Sequence, residues 1–447
     1  MEKNQSRRNF IKQSATAAAV ITIPSIIPAH AFGANDRINA AVLGVNGRGK
    51  SHINGFMAQK DVEITHLCDP DLNVAKERQK MMKDRFGKDV ALEQDLRKIY
   101  DNKDIDVVSI ATPNHWHSLA VIWACQAGKD VYVEKPGSHN IYEGRKMVEA
   151  AQKYDRIVQH GVQLRSSPSV REAVQMLHDG YIGRVYMSRG LVFRWRPDIG
   201  HKGFSPVPEG LDYDLWTGPA TKRPFSRDIV HYNWHWTFEY GNGDVGNQGI
   251  HETDLCMWGL NVGLPTKITS MGGKFLFNDA KETPEVLTSV YHYPEEDKII
   301  QFEVRPWCTN TEEGVTVGNI FYGEKGILVV DGYDKYQFYM GQRREKDKGG
   351  SDSEVEAASE MARGDGGTDG HFKNFIDAVR AHDKTMLNGP VETAHLASGL
   401  AHLGNIAYRL GRVLTFDPAS EKFVNDPDAD KYLTRNYRAP FVVPENV

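Results

Sequence analysis

The 447-residue chain carries 54 Lys and Arg against 59 Asp and Glu, a formal net charge of -5, and its 40% hydrophobic content is that of an ordinary globular protein. This balance gives no basic field for nucleic acid or for an anionic membrane surface, and it leaves small neutral or acidic molecules as partners. The length exceeds the ~250–300 residues at which one core stops growing, so two domains are expected.

At the N-terminus, Ser6-Arg7-Arg8-Asn9-Phe10-Ile11-Lys12 heads an apolar run from Ala15 to Ile27. That run is roughly half the ~20 residues a spanning helix needs, so no membrane span is expected. It ends in Pro28-Ala29-His30-Ala31, an Ala-x-Ala cleavage pattern. Residues 1–31 therefore read as a twin-arginine signal peptide, with Phe32 as the mature N-terminus and a periplasmic or otherwise exported destination. No Cys lies near the junction to take a lipid anchor. An uncleaved amphipathic helix is the alternative. Cys68, Cys125, Cys256 and Cys308 are far apart and lack CxxC spacing, so they read as free thiols, with no metal site and no disulfide framework.

From residue 36 to 158, β-rich apolar runs alternate with helical patterns. Ile38 to Val45, Val62 to Leu67, Val107 to Ala111, Val131 to Val133 and Ile157 to Val162 read as strands buried on both faces. Asn73 to Phe86 and Ser118 to Ala127 read as helices, the second ending at Gly128. The repetition predicts an α/β fold with a doubly wound parallel sheet.

Residues 159–415 change texture to Tyr, Trp, Pro and Gly. Alternating segments such as Val185 to Val192, Lys298 to Val304 and Gly326 to Val330 predict a second α/β domain on an open, mainly antiparallel sheet. Residues 343–369, rich in Lys, Asp, Glu, Ser and Gly, read as a mobile loop. Helical period returns at His371-Phe372-Asn374-Phe375-Ile376 and again from Thr393 to Leu410. Residues 416–447 read as a C-terminal tail. An exposed sheet face would favour a homo-oligomer.

The loop Gly44-Val45-Asn46-Gly47-Arg48-Gly49 follows the first strand and opens a helix. Gly44 makes the tight turn, Gly49 lets helix and strand pack closely, and the helix N-terminus can face a pyrophosphate. Asn46 stands where the dinucleotide fingerprint has its middle glycine; Asn tolerates positive φ, and Gly47 can take over the close approach. Asp69 ends the second strand at about the ~20-residue distance of a ribose-binding acid. Its carboxylate would accept from ribose hydroxyls and repel a 2′-phosphate, favouring NAD over NADP. The competing reading is that Asp69 caps the following helix.

Val131-Tyr132-Val133-Glu134-Lys135-Pro136 places Lys135 at the C-terminal end of a parallel strand, where ligands of doubly wound sheets sit. Together with Ala111-Thr112-Pro113-Asn114-His115-Trp116-His117, Gln159-His160-Gly161-Val162-Gln163-Leu164-Arg165, Tyr213-Asp214-Leu215-Trp216-Thr217-Gly218-Pro219 and the segment Gly241 to Asp254, it resembles the glucose-fructose oxidoreductase and inositol dehydrogenase (Gfo/Idh/MocA) superfamily. The resemblance covers most of the chain after residue 31. It implies an N-terminal Rossmann domain, a C-terminal α/β domain and NAD(P) chemistry on sugars or cyclitols. It further implies that Lys135 touches both nicotinamide ribose and substrate hydroxyl, and that His251 takes the hydroxyl proton. Asn247 stands where the family has an Asp. A neutral amide can orient a hydroxyl but cannot raise the imidazole pKa, so His251 near its usual ~6.5 is the expected base, shared with Lys135. Glu252 or Asp254 could supply an orienting carboxylate instead.

The cofactor set expected from these readings adds Thr112, Pro113, Asn114, His117 and Glu134 to the glycine loop, Asp69 and Lys135. The substrate set is Lys135, Arg165, Trp234, Trp236, Asn247, His251 and Asp254, with the aromatic rings packing on sugar C–H faces. Three functions fit: an exported NAD-dependent oxidoreductase with tightly held cofactor, a glycoside-cleaving enzyme working by oxidation, elimination and reduction, and a non-catalytic sugar-binding protein.

Overall fold

The computed structural model describes residues 37–307, 310–352 and 369–447; the expected signal peptide and Cys308 lie outside them. Six short apolar strands form a wholly parallel sheet. They are β1 (Ile38–Leu43), β2 (Val62–Cys68), β3 (Ala91–Glu93), β4 (Val107–Ile110), β5 (Asp130–Val133) and β6 (Val158–His160). The helices between them are α1 (Arg48–Met57), α2 (Leu72–Phe86), α3 (Leu96–Asp101), α4 (Asn114–Gln126) and α5 (Ile141–Lys153). The strand order β3-β2-β1-β4-β5-β6 reverses between β1 and β4. In such sheets the reversal opens a crevice at the carboxyl ends of the strands, and Gly44 and Thr112 sit there.

After α6 (Pro168–His178), β7 (Val185–Phe193) enters a ten-stranded sheet. Three helical segments follow: α7 (Tyr213–Thr217), α8 (Gly243–Asn247) and α9 (Ile250–Leu260). The sheet is then built from β8 (Lys267–Gly273), β9 (Val286–Tyr293), β10 (Lys298–Arg305), β11 (Val317–Gly323), β12 (Gly326–Asp331), β13 (Lys335–Met340) and β14 (Glu345–Ser351). Its pairings are antiparallel except β7 with β10. Gly190 of β7 lets α9 lie close, since a Cβ there would fall 3.1 Å from the Glu252 Cβ. Among the described residues no helix is long and apolar enough to cross a membrane.

Three expectations need correction. Residues 345–351 of the expected mobile loop are β14, paired antiparallel to β13. The strand is highly charged and largely exposed, an edge strand held by main-chain bonds rather than apolar side chains, which composition cannot reveal. Residues 353–368 lie outside the described set. Second, the parallel-sheet layer is not contiguous in sequence. Helix α10 (Asp369–Ala381) packs Phe372 and Phe375 against Phe56 and Tyr132 of the first sheet layer, and the Tyr132 and Phe372 rings stack at 4.5 Å. Helix α11 (Val391–Leu410) serves both layers: Ser398 Oγ accepts from Gly137 N–H, and Leu400 O accepts from Tyr291 Oη. Third, 416–447 is no loose tail. It completes β15 (Leu414–Asp417), forms β16 (Lys422–Phe423) and α12 (Pro427–Asp430), and buries Phe441, Val443 and Val447 in the core of the first layer, with Phe441 5.3 Å from Trp116 of α4. Isolated apolar residues in an irregular segment give no period to read.

Candidate active site

Helix α1 follows Gly47 with no side-chain cap and no acid in its first turn, and Gly47 and Arg48 line the crevice, so its positive end suits an anion. Gly44 adopts φ +80°, and a Cβ there would lie 2.7 Å from Ala111 O; one on Gly49 would lie 2.0 Å from Gly44 O. A Cβ on Gly47 would meet nothing within 4 Å, leaving space for a phosphate. Asn46 is not at positive φ, contrary to expectation; Gly47 supplies the close approach. Arg78 fastens the loop by donating to Val45 O and Asn46 O, each at 2.9 Å.

Asp69 follows β2 into the same crevice. Its Oδ2 accepts from Val45 N–H at 2.9 Å and its Oδ1 from Asp71 N–H at 3.0 Å. Burial pushes its pKa up to about 6, the two amides opposing, so it is ionised at neutral pH. The helix-capping role falls to Asp71, which accepts from Asn73 N–H.

The loop after β5 is organised by Glu134. Its Oε1 accepts from Arg48 Nε at 2.7 Å and from His52 Nε2 and Gln163 Nε2 at 3.2 Å; its Oε2 accepts from Lys135 N–H. Burial alone would raise its pKa, but Arg48 and His52, with Lys135, hold it well below the usual carboxylate range. With Nε2 of His52 donating, Nδ1 accepts from Ser109 Oγ at 2.6 Å. Sequence reading missed His52, Ser109 and Gln163. The spacing of Arg48 and His52, one helical turn apart, was the available signal.

Lys135 lines the crevice and its Nζ donates to the main-chain carbonyl of Asn247. Burial drives its pKa down to about 8 against the opposing Glu134 charge, with Arg48 and Arg196 adding to the fall. His251, at the start of α9, is buried edge-on to Tyr333 at 5.2 Å, and its Nδ1 has no hydrogen-bond partner among the described residues. Burial and then Lys135 hold its pKa well below the ordinary value. The expected imidazole near 6.5 is thus replaced by a neutral ring, because the environment is both dry and cationic. Neither Glu252 nor Asp254 orients it. Glu252 accepts from Gln248 Nε2 at 3.2 Å, and burial raises its pKa to about 8. Gln248 also donates to Tyr333 Oη and accepts from Arg194; this shell was unread in the sequence.

Asn46, Arg48, Thr112, Pro113, Asn114, His117, Trp234 and Asn247 also line the crevice. His117 bridges Thr112 O and Pro136 O at 2.7 and 2.6 Å. Three expected substrate contacts are engaged elsewhere. Arg165 and Asp254 form a bidentate pair at 2.7 and 2.8 Å, with the guanidinium over Trp258, so each satisfies the other. Trp236 is buried beneath Arg196 and Lys281, which occupy the ring face a sugar would need. Arg196 is in turn held by Asp244 at 2.7 and 2.8 Å.

Residues 209–235 form a strap bonded to the loop beyond Asp69. Leu72 N–H donates to Gly210 O, Asp212 N–H to Pro70 O, and His231 Nε2 meets Asp71 Oδ2 at 3.1 Å. Within it, Tyr232, Trp234 and His235 line the crevice. The uncapped N-terminal end of α1, the open face of Gly47 and the doubly anchored Asp69 fit the pyrophosphate and ribose of NAD. Among the described residues no cluster suits a metal ion.

Residues 38–162 match the model of an oxidoreductase family's NAD-binding Rossmann fold, and residues 169–269 and 323–443 match the C-terminal alpha/beta domain of the same family. A glycosyl hydrolase family 109 protein of Saccharopolyspora erythraea is 27% identical over 41% of this chain and 45% of its own length. A levoglucosan dehydrogenase of Pseudarthrobacter phenanthrenivorans is 29% identical over 36% and 42%. The chain thus spans under half the length of either relative. A solved levoglucosan dehydrogenase, in complex with NADH and levoglucosan, shares the fold at a TM-score of 0.63 and 17% identity, over 85% of this chain and 99% of that one.

Proposed function

The chain belongs to the Gfo/Idh/MocA oxidoreductase family, and on that premise we propose that it oxidises a secondary hydroxyl of a sugar, glycoside or cyclitol, using NAD that stays bound. The observation that carries this reading is Lys135, poised between the nucleotide loop and the segment of Asn247 and His251, with its pKa near 8. NAD supplies the two-electron acceptor when bound. The α1 amides and Asp69 hold it, neutral His251 orients the hydroxyl, and Lys135 takes the hydroxyl proton as its amine. The ion-paired Glu134 keeps Lys135 in place through its main-chain N–H.

Export through Arg7-Arg8 and cleavage after Ala31 belong to the same proposal, as does a homo-oligomer formed through exposed apolar residues such as Met271 and Phe275. Outside the cytoplasm no soluble NAD pool recycles the cofactor, and the strap fastened to Asp71 supports its retention. Mass spectrometry of denatured, purified protein tests both: a chain beginning at Phe32 and a released dinucleotide are expected. Absence of dinucleotide from active protein would sink the retained-cofactor reading.

The same strap favours a second reading, in which the oxidised sugar loses its glycosidic substituent as an alcohol by elimination, water adds to the resulting enone, and the carbonyl is reduced again by the retained NADH. A family 109 relative supports it. Loss of deuterium from the carbon beside the oxidised one, without net NADH, distinguishes it from an accumulating keto-sugar.

A further inference from the structure

A second cavity lies behind the lysine loop, bordered by His139 and Asn140 before α5, by Asn242, and by Asn405 and Arg409 of α11. Asn242 is a shared wall: its Nδ2 donates to His139 O, and its Oδ1 accepts from Asn114 of the nucleotide crevice at 3.0 Å. Arg409, an exposed residue, contacts two rings, 4.7 Å from the Phe238 centroid and 4.4 Å from that of Tyr432. It makes no hydrogen bond or ion pair among the described residues, although the other cations bordering the cavity do. Arg223 pairs with Glu282, Lys431 with Asp428 and Arg435 with Glu143.

With two aromatic rings against it, the exposed guanidinium has its N–H fork left to offer, which matches a planar carboxylate. The rings also fix the side chain beforehand, which lowers the ordering cost of a contact. Glu239 and Glu282 border the same space, so a dianionic phosphate is disfavoured, while their oxygens can accept from hydroxyls. Asn405 is only 6% exposed, and its Nδ2 donates to Asn242 O at 2.9 Å, which braces this wall of the cavity.

We propose that this cavity is a binding site for a hydroxylated monocarboxylate, a sugar acid, held by a bidentate contact to Arg409. The site is separate from the nucleotide crevice, and its test does not depend on turnover. Calorimetric titration of the full chain with D-gluconate should give saturable binding at one site, with inorganic phosphate at least about tenfold weaker. Arg409→Met keeps the packing between Phe238 and Tyr432 but loses the fork; it should weaken gluconate about tenfold or more while melting temperature and dinucleotide content hold. Lys135→Ala, in the other site, should leave gluconate affinity unchanged. Absence of saturable heat, equal binding of phosphate, or undiminished binding by Arg409→Met would overturn the assignment, as would loss of binding in Lys135→Ala.

Discussion

Lys135 Nζ donates a hydrogen bond to the main-chain carbonyl of Asn247, tying the end of the parallel sheet to the segment that leads into His251. A carbonyl can accept from the amine as well as, more strongly, from the ammonium, so the contact places Lys135 in either charge state. Replacing it by Ala should lower turnover by about 10²–10⁴-fold, with dinucleotide content and melting temperature retained. Turnover within a factor of a few of the parent would remove Lys135 from the chemistry.

The pH dependence follows from its pKa of about 8. Only the amine can accept a proton, so kcat/KM for oxidation should rise with unit slope below about 8 and level off above. His251, neutral throughout, contributes no limb near 6.5. Lys135→Arg should erase the limb together with most activity. A plateau beginning near 6.5 in the parent would reassign the base to His251.

Asp69 carries a folded pKa of about 6, raised by burial. Its ionised form accepts from ribose hydroxyls; the protonated acid loses acceptor capacity. Dinucleotide retention should therefore weaken as pH falls through about 6, and Asp69→Asn should be weakened at every pH. Equilibrium dialysis at pH 5 and 8 checks both, and pH-independent retention by the parent would contradict the role.

Two glycines should separate folding from binding. Gly49→Ala drives a Cβ to 2.0 Å from Gly44 O and should destabilise by about 3 kcal/mol. Gly47→Ala meets no protein atom within 4 Å and should stay within about 1 kcal/mol of the parent, yet bind dinucleotide more weakly because its methyl enters the phosphate space. Thermal unfolding with and without added NAD reads both effects.

Glu252 is buried, with a folded pKa of about 8 against an ordinary 4.5. The folded state holds this proton more tightly than the unfolded chain, so the associated stability is complete below about 4.5 and is lost as pH rises through 8. Glu252→Gln should match the parent near pH 4.5 and melt at a higher temperature at pH 9. Parallel melting curves at all pH values would show that Glu252 does not titrate in this window.

What could be read in the sequence was whatever repeats or recurs locally. Alternating apolar runs gave the parallel sheet, the glycine spacing gave the crevice loop, and the segment around Lys135 gave the family. Arg165, Trp236 and Asp254 looked like substrate contacts because each is chemically capable of it. The fold pairs Arg165 with Asp254 and covers Trp236 with Arg196 and Lys281, partners 40 or more residues apart along the chain. The edge strand β14 escaped because its order comes from main-chain bonds to β13, not from an apolar pattern.

The sequence by itself determined the α/β class, the family and the residue types brought to the crevice, because periodicity and short motifs are local properties of the chain. Tertiary structure alone decided the proton affinities. Arg48, His52 and Lys135 keep Glu134 ionised against its burial, burial beside Arg48 and Arg196 brings Lys135 to about 8, and burial beside Lys135 keeps His251 neutral. These values depend on desolvation and on charges contributed by distant segments, which exist only once the two layers have packed.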